Sequence, residues 1–241
     1  MLQSTSPSSL LLASLDVARK TMYFEGQKKL SSVIQMAKKA RKKINQIPGV
    51  FAPDKAYFVN LGAKSFDQTK LLIKVSDLGI TGFYAYKELS DDFHIQLELA
   101  ETHLILAVLT IGTKQEDVDR LIEALGVMSE RYYHIKNQAL KQKIAYSYPE
   151  TYARPRSAYH APKKMVKMRQ SLGEVAAESV MIYPPGIPIV IPGERITKEV
   201  LKNLAFYQRS GSVILSDTDR GYIKVIDMDR WIKAEEENEV D

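Results

Sequence analysis

The sequence predicts an α+β chain in which a helical opening leads into two units of short strands and amphipathic helices. Three observations predict it. Apolar residues recur at helical spacing through the first forty-odd residues. Runs rich in β-branched and aromatic residues, such as Leu71–Val75 and Leu104–Ile111, then alternate with helical patterns. A break holding Pro149, Pro155 and Pro162 sets a third region apart.

The opening reads Gln3-Ser4-Thr5-Ser6-Pro7-Ser8-Ser9 before an apolar run. Pro7 suits the first helical position and Ser6 its cap. Leu11, Leu15, Ala18 and Met22 follow on one side of the helix. A second helical stretch spans about Gln27 to Ile47, with Leu30, Ile34, Ala37 and Ile44 on one face, and Pro48-Gly49 ends it. Tyr57–Leu61 and Leu71–Val75 read as strands. Asp77-Leu78-Gly79-Ile80-Thr81-Gly82 turns into a helix around Tyr84–Leu89. Ile95–Leu99 and Leu104–Ile111 are further strands, joined through Glu101-Thr102-His103. Gly112-Thr113 opens a helix through Val118, Leu121, Ile122 and Leu125, running on to about Ile144. Its early acids Glu116, Asp117 and Asp119 favour that start electrostatically. The last region predicts a strand at Ile189–Ile191, a helix from Thr197 to about Gln208, and strands at Val213–Leu215 and Tyr222–Ile226.

Composition bounds the function. The chain has 241 residues, 45% hydrophobic and 26% charged, enough to bury a core. No apolar run approaches a membrane span of about 18 residues, and no basic region precedes the first apolar stretch as in a secretory leader. Without cysteine there are no disulfides or thiolate metal sites. Four scattered histidines without a His-x-x-x-His argue against zinc. A cytoplasmic protein with no metal fits these features. The net charge of +5 is uneven. Lys28, Lys29, Lys38, Lys39, Arg41, Lys42 and Lys43 crowd one stretch without an acid, and Glu235–Asp241 form an acidic tail expected to fray. The basic stretch fits the solvated face of a helix better than a nucleic-acid surface, because no aromatic residue interleaves the lysines.

Two segments are candidates for chemistry. The hydroxyls of Ser4, Thr5 and Ser6 stand at a helix N-terminus, where free N–H groups and the dipole attract an anion such as phosphate. Spacing leaves this open beside plain capping by Ser6, the commoner use of such a segment. Tyr183-Pro184-Pro185-Gly186-Ile187-Pro188 is stiff, because each proline ring fixes φ. It could hold Tyr183 or Glu194 in place, or simply connect. Asp91-Asp92, the histidines and Trp231 complete the polar and aromatic candidates, and no Ser-His-Asp order or nucleotide-binding glycine loop emerges.

Three motifs together resemble one family. Gln3-Ser4-Thr5-Ser6-Pro7-Ser8 with Leu12-Ala13-Ser14-Leu15-Asp16 is similar to the helix entry of the bacterial ornithine/lysine/arginine decarboxylases. Thr69-Lys70-Leu71, Gly79-Ile80-Thr81-Gly82-Phe83-Tyr84 and Ile95-Gln96-Leu97-Glu98 resemble that family's small domain. Tyr183–Pro188 with Pro192-Gly193-Glu194 resembles its C-terminal signature. The motifs stand in family order, and the short segments fit the small arginine decarboxylase-like branch.

The resemblance implies a fold type I enzyme dependent on pyridoxal phosphate, acting on a basic amino acid in polyamine metabolism. Arginine to agmatine is preferred over lysine or ornithine. Such enzymes are homodimers or higher oligomers with sites at the subunit interface, bound neither to nucleic acid nor to membrane. Residues 1–48 would be the end of the cofactor-binding large domain with a linking helix, 49–145 the small α+β domain, 146–162 a linker, 163–230 the C-terminal decarboxylase domain and 231–241 the tail. Ser4 would reach the cofactor phosphate of the neighbouring subunit, with Thr5 and Ser6 beside it. Tyr183 and Glu194 are candidates for the substrate pocket or interface. The family's Schiff-base lysine follows a Ser-x-His, whereas His94, His103, His134 and His160 precede Ile95, Leu104, Ile135 and Ala161. The chain is thus expected to begin after the catalytic centre and to be inactive alone. Met1 would be an internal start, an engineered boundary, or the start of a split or decayed gene product. A separately encoded N-terminal portion would complete the enzyme. The alternative is a non-catalytic fragment that pairs with a full-length relative. One departure stands at Gly173-Glu174-Val175-Ala176, where relatives carry Gly-Arg-Ile and Glu174 reverses the charge.

Overall fold

The computed structural model describes residues 6–133, 148–183 and 186–238. Helix α1 (Ser9–Ile44) joins both predicted helical stretches into one 36-residue rod. Nothing between Met22 and Gln27 breaks it, since Gly26 weakens a helix interior without ending it. It starts two residues later than the Pro7 signal predicts. Ser8 rather than Ser6 is the cap residue, and its side chain makes no capping bond. Val33, Ala37, Ala40 and Ile44 lie on its buried face, packed with β1 and α4. After Ile44 the side chain of Asn45 bonds Ala52 in both directions, at 3.0 and 2.7 Å. Gly49, at φ 75°, is required because a Cβ there would lie 2.5 Å from the ring of Tyr133.

The predicted strand at Tyr57–Leu61 is instead helix α2 (Lys55–Asn60). Asp54 accepts from the Tyr57 amide at 3.0 Å and caps it. Tyr57, Val59 and Leu61 are all exposed, so no sheet face rewards their alternation. Strand β1 (Lys70–Lys74) pairs antiparallel with β3 (Leu104–Val108), and β2 (Leu99–Ala100) flanks β3 on its other edge. The predicted Ile95–Leu99 strand contracts to β2. His94 has a left-handed φ of 55°, and the Ile95 amide bonds back to Leu89. Helices α3 (Gly82–Asp91) and α4 (Gln115–Tyr132) complete this core around Leu71, Ile73, Leu89, Ile105 and Leu125. The predicted extension of α4 to Ile144 lies outside the described residues, as do Tyr146 and Ser147 of the predicted linker.

The remainder of that proline-rich stretch is built into the following unit. Helix α5 (Pro155–His160) starts on a proline and buries Ala158 beside Val175, Ala177 and Ile226. Strand β4 (Lys163–Lys167), which the sequence pattern missed, pairs with β8 (Tyr222–Ile226). The predicted strand at Ile189–Ile191 is β6 (Ile187–Val190). It pairs with β5 (Val180–Tyr183), also missed, and β7 (Val213–Leu215) completes the order β6-β5-β7. Helix α6 (Lys198–Arg209), capped by Thr197, lays Val200 and Leu204 on this core. Helix α7 (Met228–Asn238) runs into the segment expected to fray, and its Trp231 rests against Tyr152. The two units meet where Phe83 packs edge-on to Tyr207.

Candidate functional site

The serine-rich entry sits on the free end of α1. Ser4 and Thr5 lie outside the described residues. Ser6 is exposed in a bend ahead of Pro7, and the first helical bond runs from the Leu12 amide to the Ser8 carbonyl at 3.0 Å. The amides of Ser9, Leu10 and Leu11 therefore have no carbonyl partner within the helix. No acid stands in the first turn to repel an anion. An incoming phosphate would meet several N–H donors and the positive end of the dipole.

The surface around this entry is apolar on two sides. Leu11, Leu15 and Met22 form one exposed stripe, and Leu10, Val17 and Phe24, seven apart, form another. A helix apolar on more than one side is normally buried. Here residues 6–20 and 22–25 are all exposed, and the deeply packed half of α1 begins near Val33. The free half thus presents a helix N-terminus without an acid in its first turn and two uncovered apolar faces.

Tyr183 and Glu194 are not brought together. Tyr183 ends β5 at the loop side of the β5–β6 hairpin and is half exposed. Glu194 follows β6 at the opposite end, beyond the Val180–Val190 pair. Its carboxylate accepts from the Ile191 amide at 2.9 Å, closing its own turn. Gly193 fits there at φ 91°, because a Cβ would lie 2.1 Å from the Ala153 carbonyl. Glu174 has a local counter-ion in Lys164 at 3.2 Å, so the reversed charge is matched within this unit.

Three buried charges, Arg41, Glu88 and Glu178, escaped the sequence reading. Arg41 belongs to the basic stretch read as a solvated face, yet it is only 5% exposed. Its guanidinium donates to the carbonyls of Pro53, Gln68 and Lys70 at 3.2, 2.9 and 2.7 Å and lies over the Phe66 ring. Burial pulls its pKa below the ordinary arginine value, while Asp54 and Asp67 work against that. Helical phase held the signal, since residue 41 shares the side of Ala37 and Ile44 rather than that of Lys39 and Lys42. Glu178, 2% exposed, accepts from the Asp217 and Lys224 amides and the Thr218 hydroxyl. An acid inside Val175-Ala176-Ala177-Glu178-Ser179-Val180 was the available hint. On α3 and α4, buried Glu88 pairs with Arg131, and the Tyr84 and Tyr132 hydroxyls meet at 3.1 Å. Burial first, then the Tyr84 hydrogen bond, pushes the Tyr132 phenol up to about 12.

Among the described residues there is no cluster of three potential metal ligands, and no helix is long and apolar enough to cross a membrane.

Comparison with known proteins adds the context of this site. Residues 1–61 match the model of the Orn/Lys/Arg decarboxylase major domain, and residues 137–213 that of the Orn/Lys/Arg decarboxylase C-terminal domain. The arginine decarboxylase of Bacillus subtilis is 39% identical over 213 residues, covering 85% of this chain and 43% of the relative. That of Halalkalibacterium halodurans is 36% identical over 220 residues, 91% of this chain and 45% of the relative. The chain therefore spans less than half the length of these relatives. The constitutive lysine decarboxylase of E. coli superposes with a TM-score of 0.67 at 18% identity, over 94% of this chain and 44% of that one. The lysine decarboxylase of Francisella novicida gives 0.61 at 20% identity, over 84% and 40%. These two likenesses speak to the fold.

Proposed function

This chain belongs to the Orn/Lys/Arg decarboxylase family, and on that premise we propose that it forms the C-terminal portion of a pyridoxal-phosphate-dependent decarboxylase of basic amino acids. Arginine is the preferred substrate, after its arginine decarboxylase relatives. The observation that carries the reading is the free half of α1. Its sequence matches the major-domain model, and its two apolar stripes are uncovered. The remainder of a major domain would cover one stripe, and a second subunit the other. Whether that remainder lies on the same polypeptide or is supplied separately does not alter the fit.

The entry suits the cofactor's phosphate, having first-turn amides without a carbonyl partner in the helix and no acid in that turn. Ser4 would donate to the phosphate, with Thr5 and Ser6 beside it. Bound there, the cofactor's ring supplies the electron sink for loss of carbon dioxide. This chain's own share is to bind and orient the phosphate and to exclude water with the apolar stripes. Tyr183, with its exposed ring, is the better interface candidate, because the Glu194 carboxylate is already taken by Ile191.

The test joins this chain to the N-terminal part of the Bacillus subtilis relative, cut just before the matched region. Carbon dioxide release from arginine, lysine and ornithine is then measured. The joined protein should turn over arginine fastest, and this chain alone none of the three. Turnover by the chain alone, or a joined protein that folds as a dimer without activity, would overturn the reading.

A further inference from the structure

The C-terminal unit holds a cavity of about 720 Å³, lined by no described residue of α1, between α6, strand β7 and the Lys167–Tyr222 end of the β4–β8 ribbon. That volume lies within the roughly 300–1,000 Å³ of small-molecule sites. Its floor is apolar, from Leu204 and Ile214. Its rim carries Lys167, Arg169 and Arg220, and among the described residues that line it there is no acidic side chain. None of these cations has an ion-pair partner among the described residues.

The wall is held before any ligand arrives. Buried Glu178 takes the Asp217 amide at 3.1 Å and the Thr218 hydroxyl at 2.8 Å, fixing the loop that precedes Arg220. The same hydroxyl lies 3.1 Å from the Tyr222 carbonyl, which shares its one proton with Glu178. The C-terminal carbonyls of α6 that border the cavity are already engaged. Ala205 accepts from the Arg209 side chain and Gln208 from the Gly211 amide. The negative end of that helix is thus partly neutralised. What remains presented to the cavity is positive charge above an apolar floor. The outer edge of β7 adds no acid, and among the described residues it pairs only with β5.

We infer that this cavity is a second binding site, for a small molecule with a phosphate or carboxylate head on an apolar body. Arg169 and Arg220 take the head, as guanidinium groups match such oxygens in pairs. Leu204 and Ile214 receive the body. The Glu178-braced loop holds the backbone that precedes Arg220, so that part of the site needs little reorganisation on binding. The site stands apart from the α1 entry and does not depend on completion of the major domain.

The test is isothermal titration of the full chain with hexyl phosphate, hexanoate, inorganic phosphate and hexanol. One equivalent of hexyl phosphate or hexanoate should bind, and the tighter of the two identifies the head. The amphiphile should bind at least about tenfold more tightly than inorganic phosphate or hexanol, because burial of its methylenes adds to the charge contact. The double variant R169Q/R220Q should lose about tenfold or more while melting as the parent does, since both side chains are exposed. Ile214→Asn should lose the advantage of the alkyl chain and keep weak phosphate binding. Unchanged binding in R169Q/R220Q would place the ligand on the apolar stripes of α1 and overturn the proposal. Equal affinity for hexyl phosphate and inorganic phosphate would do the same, reducing the cavity to a surface that collects anions.

Discussion

The Thr81 hydroxyl donates to the Ser210 carbonyl at 2.9 Å and accepts from the Tyr84 amide at 3.1 Å. One side chain thus caps α3 and ties it to the end of α6. Thr81→Ala should cost about 1 kcal/mol for the cap and about 1 kcal/mol more for the second hydrogen bond. Urea denaturation measures it. Thr81→Ser should recover most of the loss, and a loss confined to the cap would show the junction to be energetically idle.

Arg41 makes a larger prediction. Replacing it with methionine keeps the apolar stem and leaves the Pro53, Gln68 and Lys70 carbonyls without their donor. At about 1–3 kcal/mol per buried unsatisfied group, the loss should exceed about 3 kcal/mol. Arg41→Lys should rescue little, because a point ammonium lacks the planar fork that reaches all three. Substitution of Lys42, exposed one residue further, should change stability by less than about 0.5 kcal/mol.

Tyr132 sets the alkaline limb. Its folded pKa of about 12 lies above the ordinary value of 10, so the folded state holds the proton more tightly. The contribution is fully present below pH 10 and is lost as pH rises from 10 towards 12. Tyr132→Phe should remove that part of the pH dependence, and one late-ionising phenol should vanish from the absorbance titration near 295 nm. Asp67 acts at the other extreme. Hydrogen bonds from the Thr69 hydroxyl and amide hold its carboxyl below the usual range. Its contribution is present above the ordinary carboxylate pKa and is lost as pH falls through the lowered one. Thr69→Val should shrink the acid limb.

The free half of α1 predicts a separation of stability from assembly. Leu15→Glu and Met22→Glu change side chains that touch little, so the chain should melt as before. In the joined protein the same changes should block assembly, read by sedimentation. Amides of residues 9–25 should exchange fast in this chain alone, and those of 33–44 slowly.

Ser4→Ala in the joined protein should weaken cofactor binding by about one to two decades, as one hydrogen bond to a charged group contributes about 1.5–3 kcal/mol. Equilibrium dialysis reads it. Ser8→Ala is the control, because Ser8 caps α1 without a side-chain bond. It should leave both stability and affinity nearly unchanged. Equal loss in the two variants would reduce the segment to a helix start.

Strong local signals were legible in the sequence. Val213–Leu215 and Tyr222–Ile226 stand where their patterns predict, and Thr197 caps α6. The misses share a cause. Tyr57–Leu61 alternates like a strand, but Asp54 supplies a cap and no neighbouring strand supplies a ladder. Lys163–Lys167 looks too polar for a strand because β4 is exposed along most of its length and gains its partner, β8, from about sixty residues away. Ile95–Leu97 loses its pairing to the turn at His94. Ser4–Ser6 stood out by pattern as a candidate, whereas Arg41 and Glu178 were hidden because charge alone suggests solvent. Only tertiary carbonyls and amides show otherwise.

The length of α1 has a mechanical meaning. At 1.5 Å per residue the rod measures about 54 Å, with roughly half of it beyond Gly26. Its anchored half is clamped by Ile44, Ala37 and Arg41 to the β1–β3 sheet side of the small unit. A tilt of about 5° at that clamp would swing the serine-bearing tip by about 4 Å, more than the margin within which a hydrogen bond is made or lost. The rod therefore works as a pointer, and under the proposed function the tolerance of a phosphate seat at its tip would be set by the stiffness of a joint far down the shaft.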